Sequence, residues 1–175
     1  MESSRQISLI LGGARSGKSA YAEGLIANGS GHAVYIATAR KNEDAEMLKR
    51  IEAHRVRRDP KRWQLVEEPL ELSNALIRLG KGAHPILIDC LPLWLSNLLK
   101  EKRDPYPATE QFLEALRTSA VSVVCVSGEV GLGMTPLNPV GRAFRDHLGN
   151  LNQKVAAIAN DVTFMLSGIP MKVKG

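Results

Sequence analysis

Residues 7–19 read Ile7-Ser8-Leu9-Ile10-Leu11-Gly12-Gly13-Ala14-Arg15-Ser16-Gly17-Lys18-Ser19. The first five are mostly apolar and suit a buried strand, the glycine-rich centre suits a tight turn, and residues 18–27 suit a helix that stops at Asn28-Gly29. Within this strand-turn-helix unit, Gly12-x-x-x-x-Gly17-Lys18-Ser19 matches the P-loop pattern. Backbone N–H groups of such a loop wrap phosphate oxygens, and the helix N-terminus adds a favourable dipole. Lys18 is placed for the β and γ phosphates, and Ser19 offers its hydroxyl to Mg²⁺. The competing reading, a glycine turn with no ligand, is disfavoured because motif and context agree.

Outward from this unit, apolar runs alternate with helical patterns. Strands are expected at 33–37, 63–67, 85–90 and 121–127, with a closing strand pair or meander at 162–166 and 171–173. Helices are expected at 42–55, 71–79, 91–100, 109–117 and 141–160, with loops at 102–107 and 128–139. Near-continuous apolar strands separated by helices imply a mostly parallel sheet covered on both faces, the α/β class. A chain of 175 residues fits one domain, and no repeat or low-complexity segment suggests a second.

In such a sheet ligands bind beyond the carboxyl ends of the strands. Four polar positions fall there: the P-loop, Thr38, Asp89 and Glu129. Asp89 ends the run Ile86-Leu87-Ile88, where an acid that holds Mg²⁺ directly or through water belongs, although a loop-start acid without a ligand has the same appearance. His54 extends the apolar face set by Met47 and Ile51, which fits either a packed histidine or a nucleophile toward phosphate.

The bulk numbers close off other classes. No apolar run is long enough to span a membrane, and the first residues lack a signal-peptide layout, so a cytoplasmic protein is expected. Only Cys90 and Cys125 are present, both in apolar runs, which suits reduced thiols better than disulfides. The net charge is +5, with a cluster at Arg55, Arg57, Arg58, Lys61 and Arg62. That cluster fits a solvated surface, phosphate-bearing small molecules or nucleic acid, but it matches no nucleic-acid motif.

The strings Gly12-Gly-Ala-Arg-Ser-Gly-Lys-Ser19, Tyr35-Ile-Ala-Thr38, Arg50-Ile-Glu-Ala-His54-Arg55, Leu87-Ile-Asp-Cys-Leu91, Trp94-Leu-Ser-Asn-Leu-Leu99, Glu129-Val-Gly-Leu-Gly133 and Arg142-Ala-Phe-Arg-Asp146 occur in this order. Together they resemble the bifunctional adenosylcobinamide kinase and adenosylcobinamide-phosphate guanylyltransferase family of cobalamin biosynthesis, over about residues 6–174. The resemblance implies a single-domain, RecA-like P-loop NTPase over residues 1–175, acting as a kinase and a nucleotidyltransferase. ATP or GTP would phosphorylate the aminopropanol hydroxyl of adenosylcobinamide. GMP would then pass from GTP through a guanylylated histidine, His54 by motif, to give adenosylcobinamide-GDP.

The resemblance further implies nucleotide contacts at Gly12, Gly13, Ala14, Arg15, Ser16, Gly17, Lys18 and Ser19, at Ala37, Thr38 and Ala39, and at Arg57 and Arg58 just after His54. It adds Glu67, with Glu68 as the alternative match, and Asp89. Lys18 and His54 would be the catalytic residues, and Ser19 and Asp89 the Mg²⁺ ligands. A homotrimer follows by the same analogy, with no nucleic-acid partner. The chain departs from the family pattern at Gly128, Pro139 and Gly141 and in a short connection over 100–108. Two further readings stay open: a P-loop kinase without the guanylyl step, and an ATPase acting on nucleic acid.

Overall fold

The computed structural model describes residues 5–27, 31–40 and 62–175. The strands are β1 (Ile7–Gly12), β2 (Ala33–Ala37), β3 (Trp63–Glu67), β4 (Ile86–Asp89), β5 (Val123–Val126), β6 (Asp161–Leu166) and β7 (Ile169–Lys174). The helices are α1 (Lys18–Ala27), α2 (Leu72–Leu79), α3 (Leu91–Lys100), α4 (Pro105–Thr118) and α5 (Pro139–Ile158). The strands form one sheet in the order β3-β2-β4-β5-β1-β6-β7. Every neighbouring pair is parallel except the β6–β7 hairpin.

Alternate residues of each strand feed opposite faces, and two separate cores result. On one face Leu9, Ile36, Ile86, Ile88, Val123 and Cys125 meet the apolar stripes of α2, α3, α4 and α5, with Trp94 tilted against Phe112 at 5.3 Å between ring centroids. On the other, Ala22 and Ile26 of α1 cover Ile10, Leu87, Val124, Val126 and Met165. The central strands are buried on both faces, which is why they read as unbroken apolar runs rather than alternating ones.

Three elements begin two or more residues earlier than expected, each for a local reason. Residues 102–107 were expected to be a loop, but α4 begins at Pro105 because Asp104 is its N-cap, accepting from Tyr106 N at 3.0 Å. Proline at the first helical position lacks only an N–H that would have no intrahelical partner. The same device starts α5 at Pro139, where Asn138 Oδ1 accepts from Gly141 N at 2.6 Å. At the far end Ser167 (φ 51°) and Gly168 (φ 85°) make a two-residue hairpin turn with both φ positive, so β7 begins at Ile169 and runs alongside β6. The expected helix at 42–55 lies outside the described residues.

Asp104→Ala removes the carboxylate that satisfies the first turn of α4. Chemical denaturation should show a loss of about 1 kcal/mol, within the usual 0.5–2 kcal/mol for an N-cap. A change inside experimental error would mean that this cap contributes nothing.

Candidate functional site

β1 delivers the chain to the carboxyl rim of the sheet and ends on Gly12 at φ 145°. A Cβ at Gly12 would stand 2.5 Å from the carbonyl oxygen of Met165 on β6 and 2.8 Å from Ser16 Oγ, so only glycine fits. Beyond it Arg15 (φ 54°) and Gly17 (φ 91°) turn the backbone back on itself before α1 begins at Lys18. Gly13, Ala14, Arg15 and Gly17 are exposed, while Ser16 is buried beneath them. The β6–β7 turn braces the loop, since Gly168 N donates to Ser16 O at 3.0 Å.

Lys18 folds over this loop. Its Nζ donates to Gly13 O and lies 3.5 Å from Ser16 Oγ. Burial lowers its pKa from the ordinary lysine value, and the neighbouring Cys90 and Asp89 oppose that shift. The ammonium is thus partly stripped of water at the place where a triphosphate would supply compensating charge.

Asp89 ends β4, and β5 separates that strand from β1. Tyr35 of β2, itself buried, donates its hydroxyl to Asp89 Oδ2 at 2.7 Å. Cys90 follows, half-buried, with its thiol pushed up to about 12 by burial first and by Asp89 second. It is a neutral thiol at ordinary pH, as expected for a reduced core cysteine. Cys125, buried in β5, is likewise pushed up to about 12 by burial.

Thr38 lies at the same rim, fully buried. Its hydroxyl donates to Cys90 O at 2.7 Å and accepts from Cys90 N at 2.9 Å, so the side chain clamps the segment after β2 to the segment after β4. Asn97 of α3 reaches up to donate to Thr38 O at 2.8 Å and Pro69 O at 3.1 Å. Ala37 and Ala39 flank Thr38, both half-buried. Across the rim Ala37 is in register with Asp89 on one side and with Glu67 on the other. Glu67 is exposed at the end of β3, whereas the Glu68 carboxylate accepts from Leu70 N at 3.1 Å and Glu71 N at 2.8 Å in the turn before α2.

Glu129 completes the rim beyond β5: its N–H donates to Gly12 O at 3.1 Å, and its carboxylate turns back to accept from Gly131 N at 2.6 Å. The four strand-end positions read from the sequence therefore lie along one edge. His54, Arg57 and Arg58 lie outside the described residues. The roles of Tyr35, of Asn97 and of Asn152, which accepts from Ser127 Oγ at 2.6 Å and donates to Gly128 O at 2.9 Å, were not anticipated. Asn97 had one legible signal, a polar residue three positions from Trp94 on an apolar helix face, whereas Tyr35 in an apolar strand had none. A cavity of about 830 Å³ opens at the opposite, amino-terminal edge of the sheet, lined in part by Arg5, Ser8, Tyr21, Ser122 and Lys172. None of residues 12–19, Thr38, Asp89 or Glu129 lines it.

With this geometry in hand, comparison with known proteins is decisive. Residues 8–173 match the family described as cobinamide kinase / cobinamide phosphate guanyltransferase. The chain belongs to that family. A bifunctional adenosylcobalamin biosynthesis protein, CobP, of Pseudomonas aeruginosa is 45% identical over 170 residues, covering 95% of this chain and 96% of that protein. The bifunctional adenosylcobalamin biosynthesis proteins CobU of Escherichia coli and Salmonella typhimurium are 39% and 36% identical over 181 residues, covering 95% of this chain and 98% of each.

Among solved structures, the flagellar accessory protein FlaH from Methanocaldococcus jannaschii superposes with a TM-score of 0.54 at 10% identity, over 97% of this chain and 78% of that one. An ATPase from the type III secretion system of pathogenic bacteria gives 0.51 at 14% identity, over 91% of this chain and 50% of that one. At such identities these two establish the fold alone, and it is the α/β P-loop NTPase fold read from residues 7–19.

Two outcomes follow from the P-loop geometry. Gly12→Ala forces a Cβ onto the Met165 carbonyl at a positive φ, so affinity for a fluorescent GTP analogue should fall about tenfold or more; unchanged affinity would show that the loop does not need this backbone. For Lys18, burial lowers the pKa of the unliganded protein, and triphosphate charge favours the ammonium. Nucleotide binding should therefore take up protons on the alkaline side, increasingly as pH rises through the unliganded pKa. Calorimetry in buffers of differing ionisation enthalpy measures the uptake, and heats independent of buffer would contradict it.

Proposed function

We propose that the P-loop rim binds ATP or GTP and that the chain phosphorylates adenosylcobinamide, then transfers GMP from GTP to the product. The observation that carries the reading is the glycine-locked loop under Lys18, on one rim with Asp89, in a chain that matches the kinase and guanyltransferase family across residues 8–173. On this reading Gly12, Gly13, Ala14, Arg15, Ser16, Gly17, Lys18 and Ser19 hold the phosphates. Ala37, Thr38, Ala39, Arg57, Arg58, Glu67 and Asp89 complete the nucleotide site, Thr38 through the backbone it orders rather than through its committed hydroxyl.

In the kinase step the aminopropanol hydroxyl of the corrinoid attacks the γ-phosphorus. The bond from that phosphorus to the β–γ bridging oxygen breaks, the nucleoside diphosphate leaves with the electron pair, and the hydroxyl proton is released. Lys18 and the loop N–H groups stabilise the charge that spreads over the phosphoryl oxygens. In the guanylyl step a neutral imidazole nitrogen of His54 attacks the α-phosphorus of GTP and expels pyrophosphate. The cobinamide phosphate oxygen then attacks the same phosphorus, forming the new diphosphate and returning the electron pair to His54. Splitting one displacement into two lets a single rim serve both transfers.

The hydroxyl of Ser19 and the carboxylate of Asp89 are hard oxygen donors, the set that Mg²⁺ takes alongside nucleotide phosphates. No group of three or more His, Cys, Asp or Glu side chains suited to a metal occurs among the described residues. Bound there, Mg²⁺ would neutralise charge on the phosphates. No helix among the described residues is long and apolar enough to cross a membrane. A cytoplasmic enzyme of one structural unit, acting as a homotrimer, accords with the family reading.

Incubation with α-labelled GTP tests the covalent step. The protein should acquire label that is acid-labile and base-stable, as a phosphoramidate is. His54→Ala should lose the label and at least about 10³-fold of guanylyl transfer while still phosphorylating adenosylcobinamide. Corrinoid phosphorylation without any label on the wild-type protein would reduce the function to the kinase step.

A further inference from the structure

From Val130, beyond β5, to Gly141, in the first turn of α5, the chain has not a single charged side chain, although 23% of the whole sequence is charged. Four apolar side chains of this stretch stand almost fully in solvent: Leu132 at 82%, Met134 at 95%, Leu137 at 97% and Val140 at 73% exposure. An apolar patch of this kind, beside a polar site, marks a surface with something to bind.

The stretch is held in place from below. Ser127 N donates to Ile10 O at 2.9 Å and Glu129 N to Gly12 O at 3.1 Å, which ties its root to the P-loop strand. Asn152 of α5 accepts from Ser127 Oγ at 2.6 Å and donates to Gly128 O at 2.9 Å. Arg142 Nη1 donates to Pro136 O at 3.1 Å and Leu137 O at 2.7 Å, and Arg145 Nη1 to Thr135 Oγ1 at 3.0 Å. Polar groups are thus turned inward and engaged, while apolar side chains face out at the carboxyl rim.

We propose that this apolar stretch, residues 130–140, is the docking surface for the corrinoid acceptor. The assignment rests on the activity proposed above and locates its second substrate. Phosphoryl transfer requires the acceptor hydroxyl beside the γ-phosphate, and the loop root is hydrogen-bonded to Gly12, the first residue of the phosphate loop. Cobinamide is a broad macrocycle edged with amides and carries no carboxylate, so an uncharged apolar platform suits its face. The Arg142 guanidinium, held by the Pro136 and Leu137 carbonyls, adds positive charge at the same edge, which favours the phosphorylated acceptor of the second transfer.

The test is the combined variant Leu132→Ser, Met134→Ser, Leu137→Ser, assayed for the Michaelis constant of adenosylcobinamide, for affinity toward a fluorescent GTP analogue and for sedimentation mass. The corrinoid constant should rise at least about tenfold, with nucleotide affinity and mass as in the wild type. A corrinoid constant within twofold of wild type overturns the proposal. So does dissociation of an oligomer, which would make the loop an interface between copies of the chain. If the combined variant does not fold, Leu137→Ser alone replaces it, with a rise above twofold expected and no rise overturning the proposal. A wild-type protein that leaves adenosylcobinamide unphosphorylated refutes the proposed activity and the docking site with it, and that failure is visible before any substitution is made.

Discussion

The approach of Gly12 to the Met165 carbonyl is the contact on which the candidate site depends. It closes the end of β1 against β6 so tightly that a methyl group cannot enter, and it sends the backbone into the positive-φ turn through Arg15 and Gly17. Gly168 then holds Ser16 from beneath, so the loop is supported by a hairpin more than 140 residues away in sequence. A loop fixed in this way has its N–H groups arranged before any phosphate arrives, and less ordering cost falls on binding.

The rest of the rim follows the same logic of fixing position with buried polar contacts. Thr38 uses both donor and acceptor capacity on Cys90, Asn97 ties the Thr38 carbonyl to the start of the α2 connection, and Tyr35 holds one oxygen of Asp89. Satisfied networks of this kind rigidify an edge that would otherwise consist of loose loop starts. Partial desolvation of Lys18 belongs with them, because a cation stripped of some of its water interacts more strongly with a ligand's charge. On the two-step reading, one rigid rim serves γ- and α-phosphorus chemistry, and the groups that differ between the steps approach it from outside.

The strand pattern was legible because buried parallel strands are short apolar runs, and β2 and β3 and helices α1 and α3 fall where the periodicity puts them. Helix starts were less so. Pro105 looks like a loop residue in isolation and becomes a helix opening only when Asp104 caps it, whereas Pro139, suited to a first helical position, opens α5 under the Asn138 cap. Of the site, the P-loop and Asp89 were legible from position after an apolar run. The fully buried Thr38 hydroxyl was not, since its partner Cys90 is 52 residues away and burial depends on packing.

By itself the sequence determined the α/β class, the phosphate-binding loop and the family, because these rest on local spacing: apolar runs of strand length, glycines five positions apart ahead of Lys18-Ser19, and strings that resemble the family's. Only the tertiary structure decided which side chains are available at the rim and which are used to build it. Separating Glu67 from Glu68, or Tyr35 from its apolar neighbours, requires the register of adjacent strands, and that register arises from contacts between segments far apart in the chain.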